Sequence, residues 1–479
     1  MRSRHRFLGF LVIGLSLLGG RSAMAQEASA KPTPPLRTFP PLLEGRGDQD
    51  PTDDQPPAGN WTPDTRPLTG LQSPTLGSQE IRHSYWIPGF QYTNLVQSSA
   101  LNQPSSSGWN STNYVVGNLS LLEAWSHSRL GMNYSGGSSF STVQSQGTSN
   151  YQRVDVVQDF DWQRWQITLI DEFSYLPQSP YGFGAGTSLA TPGVGSSLQP
   201  ALPGLQMIYQ PTQTIFTSIG PQYANSVNAQ IAYAASPRGV FTVAGSYGIL
   251  RFVDPGNIDT NDSIFTAGYG YALSRRDTIG ALYRFSSYRF VGEPQAINDH
   301  IAELAYGRKI TGRLALQLFG GPEMTVFRLP VNGSTNRVTG AAGANLSYGL
   351  SRSSFTLGYD HGVNGGGGQF TGSISDQLQA GMGFQLSRMW KTNLTFGYAR
   401  NRRLGIASSS QLSQAFDAWF AGGALSRPLG RTLTFAMAYT ANIQASSLPV
   451  CVAGTCDTNH LLHQISLGLQ WHARPLVLR

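Results

Sequence analysis

From about residue 84 to the end, the chain is built of short runs in which apolar residues alternate with small or polar ones. Leu433, Phe435, Met437 and Tyr439 alternate with Thr432, Thr434, Ala436, Ala438 and Thr440. Successive side chains of a β-strand point to opposite faces, so this segment predicts a strand with one greasy face and one small, polar face. The same pattern sets Leu394, Phe396 and Tyr398 against Asn393, Thr395 and Gly397, and Phe355, Leu357 and Tyr359 against Thr356, Gly358 and Asp360. Near the C-terminus, Ile465, Leu467, Leu469 and Trp471 oppose Ser466, Gly468 and Gln470.

A short turn signal punctuates these runs: Ser274-Arg275-Arg276-Asp277, Thr311-Gly312-Arg313, Ser351-Arg352-Ser353, Ser387-Arg388-Met389 and Ser426-Arg427-Pro428. It recurs roughly every 36 to 40 residues, room for two strands of about ten residues and one longer loop, the repeat of an up-and-down barrel. Eight short turns can be placed, near Ser126, Gln163, Pro237, Arg276, Gly312, Arg352, Met389 and Pro428. With closure they predict an all-β, closed antiparallel barrel of about 18 strands. Sixteen is the alternative, because Pro88 interrupts the first strand, within 84–96.

Alternation alone does not separate a water-soluble sandwich from a lipid-facing barrel. Composition does. Only 12% of residues are charged, against about 25% in soluble domains, and the polar positions are Gly, Ala, Ser and Thr rather than Lys or Glu. Aromatics gather near strand ends, as in Tyr283, Phe285, Tyr288 and Phe290, in the manner of interfacial girdles. The net charge of +7 comes almost wholly from Arg, much of it at the short turns, and forms no basic patch with interleaved aromatics of the kind that binds nucleic acid.

The ends differ from the middle. Arg2, Arg4, His5 and Arg6, the apolar Phe7 to Leu18 and the small-x-small Ala23-Met24-Ala25 read as a secretory signal peptide over 1–25, with the mature chain starting at Gln26. Residues 26–83 are Pro-rich, with Pro32-Thr33-Pro34-Pro35, Pro40-Pro41 and Pro56-Pro57, and are expected to be a disordered periplasmic extension. The barrel is expected over 84–479.

Taken together, the signal peptide, hairpin repeat, short turns, long loops and amphipathic terminal strand resemble the large single-chain outer-membrane barrels of Gram-negative bacteria, the porin-like class. The likeness covers roughly 84–479 and is one of pattern, without a specific motif. One departure is the tail: the alternating strand ends at Trp471, but the chain continues through His472-Ala473-Arg474-Pro475 to Arg479. The resemblance implies an outer-membrane location, lipid and barrel-assembly machinery as partners, and passive diffusion of small hydrophilic solutes. The alternatives are a surface structural or adhesive barrel and an outer-membrane component of an export machine. Oligomeric state is not readable.

Several constellations are candidates for chemistry. The loop over 176–222 contains no Asp, Glu, Lys, Arg or His, and its Tyr181, Phe183, Met207 and Tyr209 would make an uncharged constriction or, equally, a surface cap. Arg153, Asp155, Asp159 and Asp161 alternate with apolar residues and are expected to face the lumen, because a charge facing lipid costs roughly 2–4 kcal/mol for Arg or Lys near mid-membrane; Asp159 and Asp161, close to the turn at Gln163, read as residues of the rim. Asp171, Glu172, Arg284, Glu303, Arg308 and Asp360 could also line the lumen, as solute-orienting charges or as bracing ion pairs. Cys451 and Cys456, the two cysteines, are expected to form a disulfide that stiffens the last long loop; a metal site with His460 and His463 is the weaker reading. His127, His300 and His361 sit in no catalytic motif, so no enzyme activity, cofactor or metal is expected. Asn364-Gly365-Gly366-Gly367-Gly368 reads as a flexible loop.

Overall fold

The computed structural model describes residues 84–98, 109–141, 148–176, 221–253, 257–329, 333–350, 352–366, 368, 371–404, 415–452, 455–474 and 476–478, with backbone alone at 448–452, 455–460 and 477–478. Its strands are β1 (Ser84–Ser98), β2 (Trp109–Ala124), β3 (Ser128–Ser141), β4 (Thr148–Asp161), β5 (Trp165–Leu176), β6 (Gln222–Ser236), β7 (Gly239–Phe252), β8 (Thr260–Ala272) and β9 (Asp277–Phe290). They continue as β10 (Ala296–Lys309), β11 (Leu314–Leu329), β12 (Gly333–Gly349), β13 (Ser353–Asn364), β14 (Ser373–Gln385), β15 (Lys391–Arg403), β16 (Ala415–Pro428), β17 (Leu433–Val452), β18 (Thr455–His472) and a short β19 (Leu476–Leu478).

From β1 to β18 each strand pairs antiparallel with the next, and β1 pairs with both β2 and β18, which closes the ring. The short β19 lies on the same edge of β1 as β18, so it continues that strand and the wall has 18 strands. Closure leaves no sheet edge facing lipid, where an unpaired backbone group would cost several kcal/mol.

Pro88 explains the break between β18 and β19. The β1–β2 ladder runs straight through it, with Pro88 opposite Leu119. On the other side, pairing stops at Gly89↔His472 and resumes at Trp86↔Leu476. Proline has no N–H to give, so the interruption falls on one ladder only. The strands are longer than the ten residues expected from the repeat, from 12 in β13 to 20 in β17. Fourteen residues, as in β9, at ~3.3 Å each and tilted ~45°, rise about 33 Å, more than the ~25 Å apolar band. Strand ends therefore stand in the headgroup regions on both sides.

The short turns have a local cause. Ser274 Oγ accepts from the N–H groups of Arg276 and Asp277, both at 3.0 Å. Thr311 Oγ1 does the same for Arg313 and Leu314, and Ser387 Oγ for Met389 and Trp390. The hydroxyl satisfies donors that the reversal would leave unpaired, which is why Ser or Thr opens the repeated signal and the exposed Arg follows it.

Outward positions form an apolar belt. Seven tryptophans, Trp86, Trp109, Trp125, Trp162, Trp165, Trp419 and Trp471, are at least 38% exposed. A water-soluble protein buries such rings, so this surface is built for lipid. Arg427 stacks over Trp390 at 5.2 Å, a cation–π contact at the short-turn rim.

Candidate functional site

The inward face of the wall is buried and polar. On β1 it carries Gln91, Thr93 and Gln97, on β2 Thr112, Asn118 and Ser120, and on β6 Gln222, Ser226, Asn228 and Gln230. Charges are set into this lining in two regions.

The first region lies on β4 and β5. Tyr151, Arg153, Asp155, Val157 and Asp159 share the inward face of β4, while Val154, Val156 and Phe160 face out. Asp155 stands opposite Glu172 in the ladder. Arg153 Nε lies 3.2 Å from Asp155 Oδ2, and its Nη2 lies 3.0 Å from Glu172 Oε1. One guanidinium thus serves two buried carboxylates, the arrangement that low-dielectric surroundings demand. Asp159 accepts from Thr168 Oγ1 at 2.7 Å. Asp161, at the short-turn rim, pairs with Arg129 at 3.2 Å. Beside this set, Leu95, Tyr114, Val116 and Tyr151 pack into an apolar inward cluster. Nothing but their parity with polar neighbours marks them in the sequence.

The second region spans β8 to β13. Arg284 on β9 lies 3.8 Å from Glu303 on β10. Asp360 on β13 and Asp262 on β8 share the inward parity of their strands. Asp299 accepts from Thr325 Oγ1 at 3.0 Å, and Glu323 lies diagonally across from it, two residues along β11 from Thr325.

Glu323 also closes a gap in the wall. β12 and β13 pair only from Gly349↔Ser354 up to Ala342↔His361. Above that point β12 continues to Gly333, paired with β11 alone. Val363 N–H, which has lost a partner on β12, donates instead to Glu323 Oε1 at 3.0 Å, and Thr339 Oγ1 donates to Oε2 at 2.8 Å. A lumen carboxylate thereby satisfies a backbone donor that the ladder leaves behind.

Past Val363 the chain folds into the barrel. Asn364, Gly365, Gly366, Gly368, Thr371 and Gly372 are buried, so this Gly-rich segment is not the free surface loop that its composition suggests. Ile258 N–H donates to Gly368 O at 2.7 Å, and Thr371 Oγ1 to Gln295 Oε1 at 2.7 Å. Tyr288 Oη reaches Val363 O at 3.4 Å. Tyr288, Phe290, Ile297, Ile374 and Leu404 form one apolar cluster beneath it. Strands β11 and β12 stand between these partners in the ring, so the contacts require the segment to cut across the mouth instead of following the wall. Gly372 has φ +92°, and a Cβ there would collide with Ile297 Cδ1. Only glycine fits this crossing.

Two expected lumen charges face outward. Asp171 shares its face with Leu169 and Phe173 and accepts from Asn225 Nδ2 at 2.8 Å. Arg308 shares its face with Leu304 and Tyr306 and pairs with Asp277 at 3.7 Å near the short-turn rim. The histidines are on that side too. His300 bonds Tyr283 Oη at 2.7 Å and His361 bonds Asp376 at 2.6 Å, so Asp299–His300 and Asp360–His361 diverge across the wall. Tyr181, Phe183, Met207 and Tyr209 lie outside the described residues. So do the side chains of Cys451 and Cys456, whose backbones stand opposite each other in the β17–β18 register.

A closed 18-strand wall, polar within and ringed by exposed tryptophans without, decides the class. The chain is a closed 18-strand β-barrel whose outer face is built for lipid. No protein-family model matches it, and no curated protein is similar to it. Among solved structures it is similar to OccK9 (OpdG) of Pseudomonas aeruginosa, at 10% identity and TM-score 0.42, over 83% of this chain and 99% of that one. It is also similar to the outer membrane protein opdK of the same species, at 11% identity and TM-score 0.40, over 81% of this barrel chain and 98% of opdK. OccAB4 of Acinetobacter baumannii matches at 9% identity and TM-score 0.41, over 82% and 99% of the two chains. Likeness at this level says nothing about what passes through, so function rests on this barrel's own lumen.

Proposed function

We propose that this barrel is a channel through which small hydrophilic solutes diffuse passively across the outer membrane. The observation that carries the reading is the inward face: amides, hydroxyls and carboxyls line a closed wall of a size that leaves an aqueous lumen. An anchor for surface loops needs no such lining. The inward β13–β14 segment supports a constriction at the long-loop end. In this reading Arg153, Asp155, Asp159, Asp161, Arg284, Glu303 and Asp360 belong to the lumen wall. Tyr181, Phe183, Met207 and Tyr209 belong to a second segment that narrows or caps it. No catalytic role is assigned.

Residues 1–25 are assigned to a signal peptide, 26–83 to a periplasmic extension and 84–479 to the barrel. Lipid and the barrel-assembly machinery are the assigned partners. A Cys451–Cys456 disulfide is part of the same reading, supported by their direct opposition in the β17–β18 register. By the loop-entropy relation so small a ring contributes only about 2 kcal/mol.

Single-channel recording of the refolded protein in a planar bilayer tests the proposal. Discrete, stable open steps are expected. Absence of conductance from a barrel shown to be folded would sink the channel reading and leave an anchor or export role.

A further inference from the structure

Resting on the channel reading, we infer that the lumen prefers cations, that its solutes are small and positively charged, and that the β8–β13 region sets this preference. The chain carries a net charge of +7, yet the most deeply buried charges of the wall are mostly acidic. Among the described residues, the buried charged side chains are Asp155, Asp159, Glu172, Asp262, Asp299, Glu303 and Glu323 against Arg153. The positive charge is elsewhere: Arg238, Arg276, Arg313, Arg352, Arg388 and Arg431 are exposed at the short-turn rim.

The two regions differ in how far their acids are answered. In the first, Arg153 bridges Asp155 and Glu172. In the second, Arg284 is the base set among Asp262, Asp299, Glu303, Glu323 and Asp360. Arg337 on β12, opposite Thr325, and Arg403 on β15, opposite Ser373, share the inward parity, the first exposed and the second half-buried. Arg251, on the strand before Asp262, has the outward parity of Tyr247 and bonds Asn261, yet lies near enough to Asp262 to offset part of its charge. A separate observation points to a missing positive partner. Asp262 Oδ1 and Glu303 Oε2 are buried acceptors with no protein donor, in residues only 6% and 3% exposed. Gly365, on the segment that crosses the mouth, lies over Asp262: a Cβ there would sit 3.6 Å from Asp262 Oδ1. The unanswered Asp262 oxygen is thus beside the inferred constriction, where low-dielectric walls focus the field on whatever passes. Rim arginines act against this preference, but they are water-exposed, and salt screens them beyond about 10 Å at 0.1 M.

The reversal potential of the refolded full-length protein in a potassium chloride gradient tests the inference. The expected result is a potential on the potassium side, with potassium severalfold more permeant than chloride. The double variant Asp262→Asn/Glu323→Gln keeps side-chain shape, and the new amide at position 323 would still offer an oxygen to Val363 N–H. In the channels that it forms, the permeability ratio is expected to fall toward one. Open steps with no selectivity, or with chloride preferred, overturn the inference and leave the channel reading standing. A selective wild type with an unchanged ratio in the double variant overturns the assignment to this region. A folded barrel without conductance overturns both readings. Should the variant fail to fold, the sign of the wild-type potential still decides.

Discussion

The β4–β5 wall and the β8–β13 wall put buried charge to different uses. In the first, the base closely bridges two acids: Arg153 lies within 3.2 Å of one carboxylate and 3.0 Å of another, on strands whose ladder is unbroken, and Thr168 holds Asp159. In the second, the inward ion pair is the looser Arg284–Glu303 at 3.8 Å, and another acid, Glu323, bonds backbone where β13 parts from β12. A closely bridged set braces a wall. A loosely paired set beside an opened ladder and an inward segment leaves charge available to solutes. The same barrel therefore contains a structural version and a functional version of the charged lining.

The largest effect that separates them is expected from Arg153→Met. Removing the guanidinium strands Asp155 and Glu172, both at most 5% exposed, and breaking a buried pair in this way costs about 3–5 kcal/mol. Unfolding in detergent micelles, followed by gel mobility against urea concentration, is expected to shift to markedly lower urea. Arg284→Met is expected to cost less, because its partner is more distant and its own side chain is 20% exposed. It should also raise the potassium preference. Equal loss of stability in the two variants would erase the distinction between brace and field.

Gly372→Val comes next. A branched side chain at φ +92° is strained by about 1–3 kcal/mol and meets the Ile297 methyl, so the crossing segment is expected to shift in its seat. Larger single-channel conductance is expected, with the barrel retained. A matching change beside the first region, Gly131→Ala on β3 opposite Val157 of β4, has ordinary contacts at 4.0 Å and is expected to leave conductance as it was. If Gly372→Val leaves conductance unchanged as well, the segment does not narrow the pore.

Much of the wall was legible because lipid and lumen impose a period of two that no other environment matches. Every short turn and the 18-strand count follow from that alternation and from Ser, Thr, Arg and Gly at the reversals. The same counting, applied strictly, reaches further than composition does: Arg308 has the parity of Leu304 and Tyr306, and Asp171 that of Leu169 and Phe173, so their outward placement could have been read by stepping in twos. The inward segment could not. Its cause is the steric fit of Gly372 to Ile297, far back in the chain on β10, and a bond from Glu323 to Val363, 40 positions away. Neither leaves a local pattern. A Gly-rich run looks alike whether it is free in water or pressed against a wall.

The smallest expected effect concerns that last bond. Thr339→Val keeps shape but removes the hydroxyl that donates to Glu323 Oε2 at 2.8 Å, at a cost of about 1 kcal/mol. Global stability should hardly move, since the other carboxylate oxygen still receives Val363 N–H. What should change is local: with one of its two anchors gone, Glu323 holds the top of β13 less firmly. Hydrogen exchange at Val363 is therefore expected to quicken, while that at Asp360, below the point where the β12–β13 ladder ends, stays slow. Equal exchange at both positions before and after the change would mean that the ladder, and not the carboxylate, fixes this part of the wall. The opened seam would then be only a gap, with no bearing on how the lumen is narrowed.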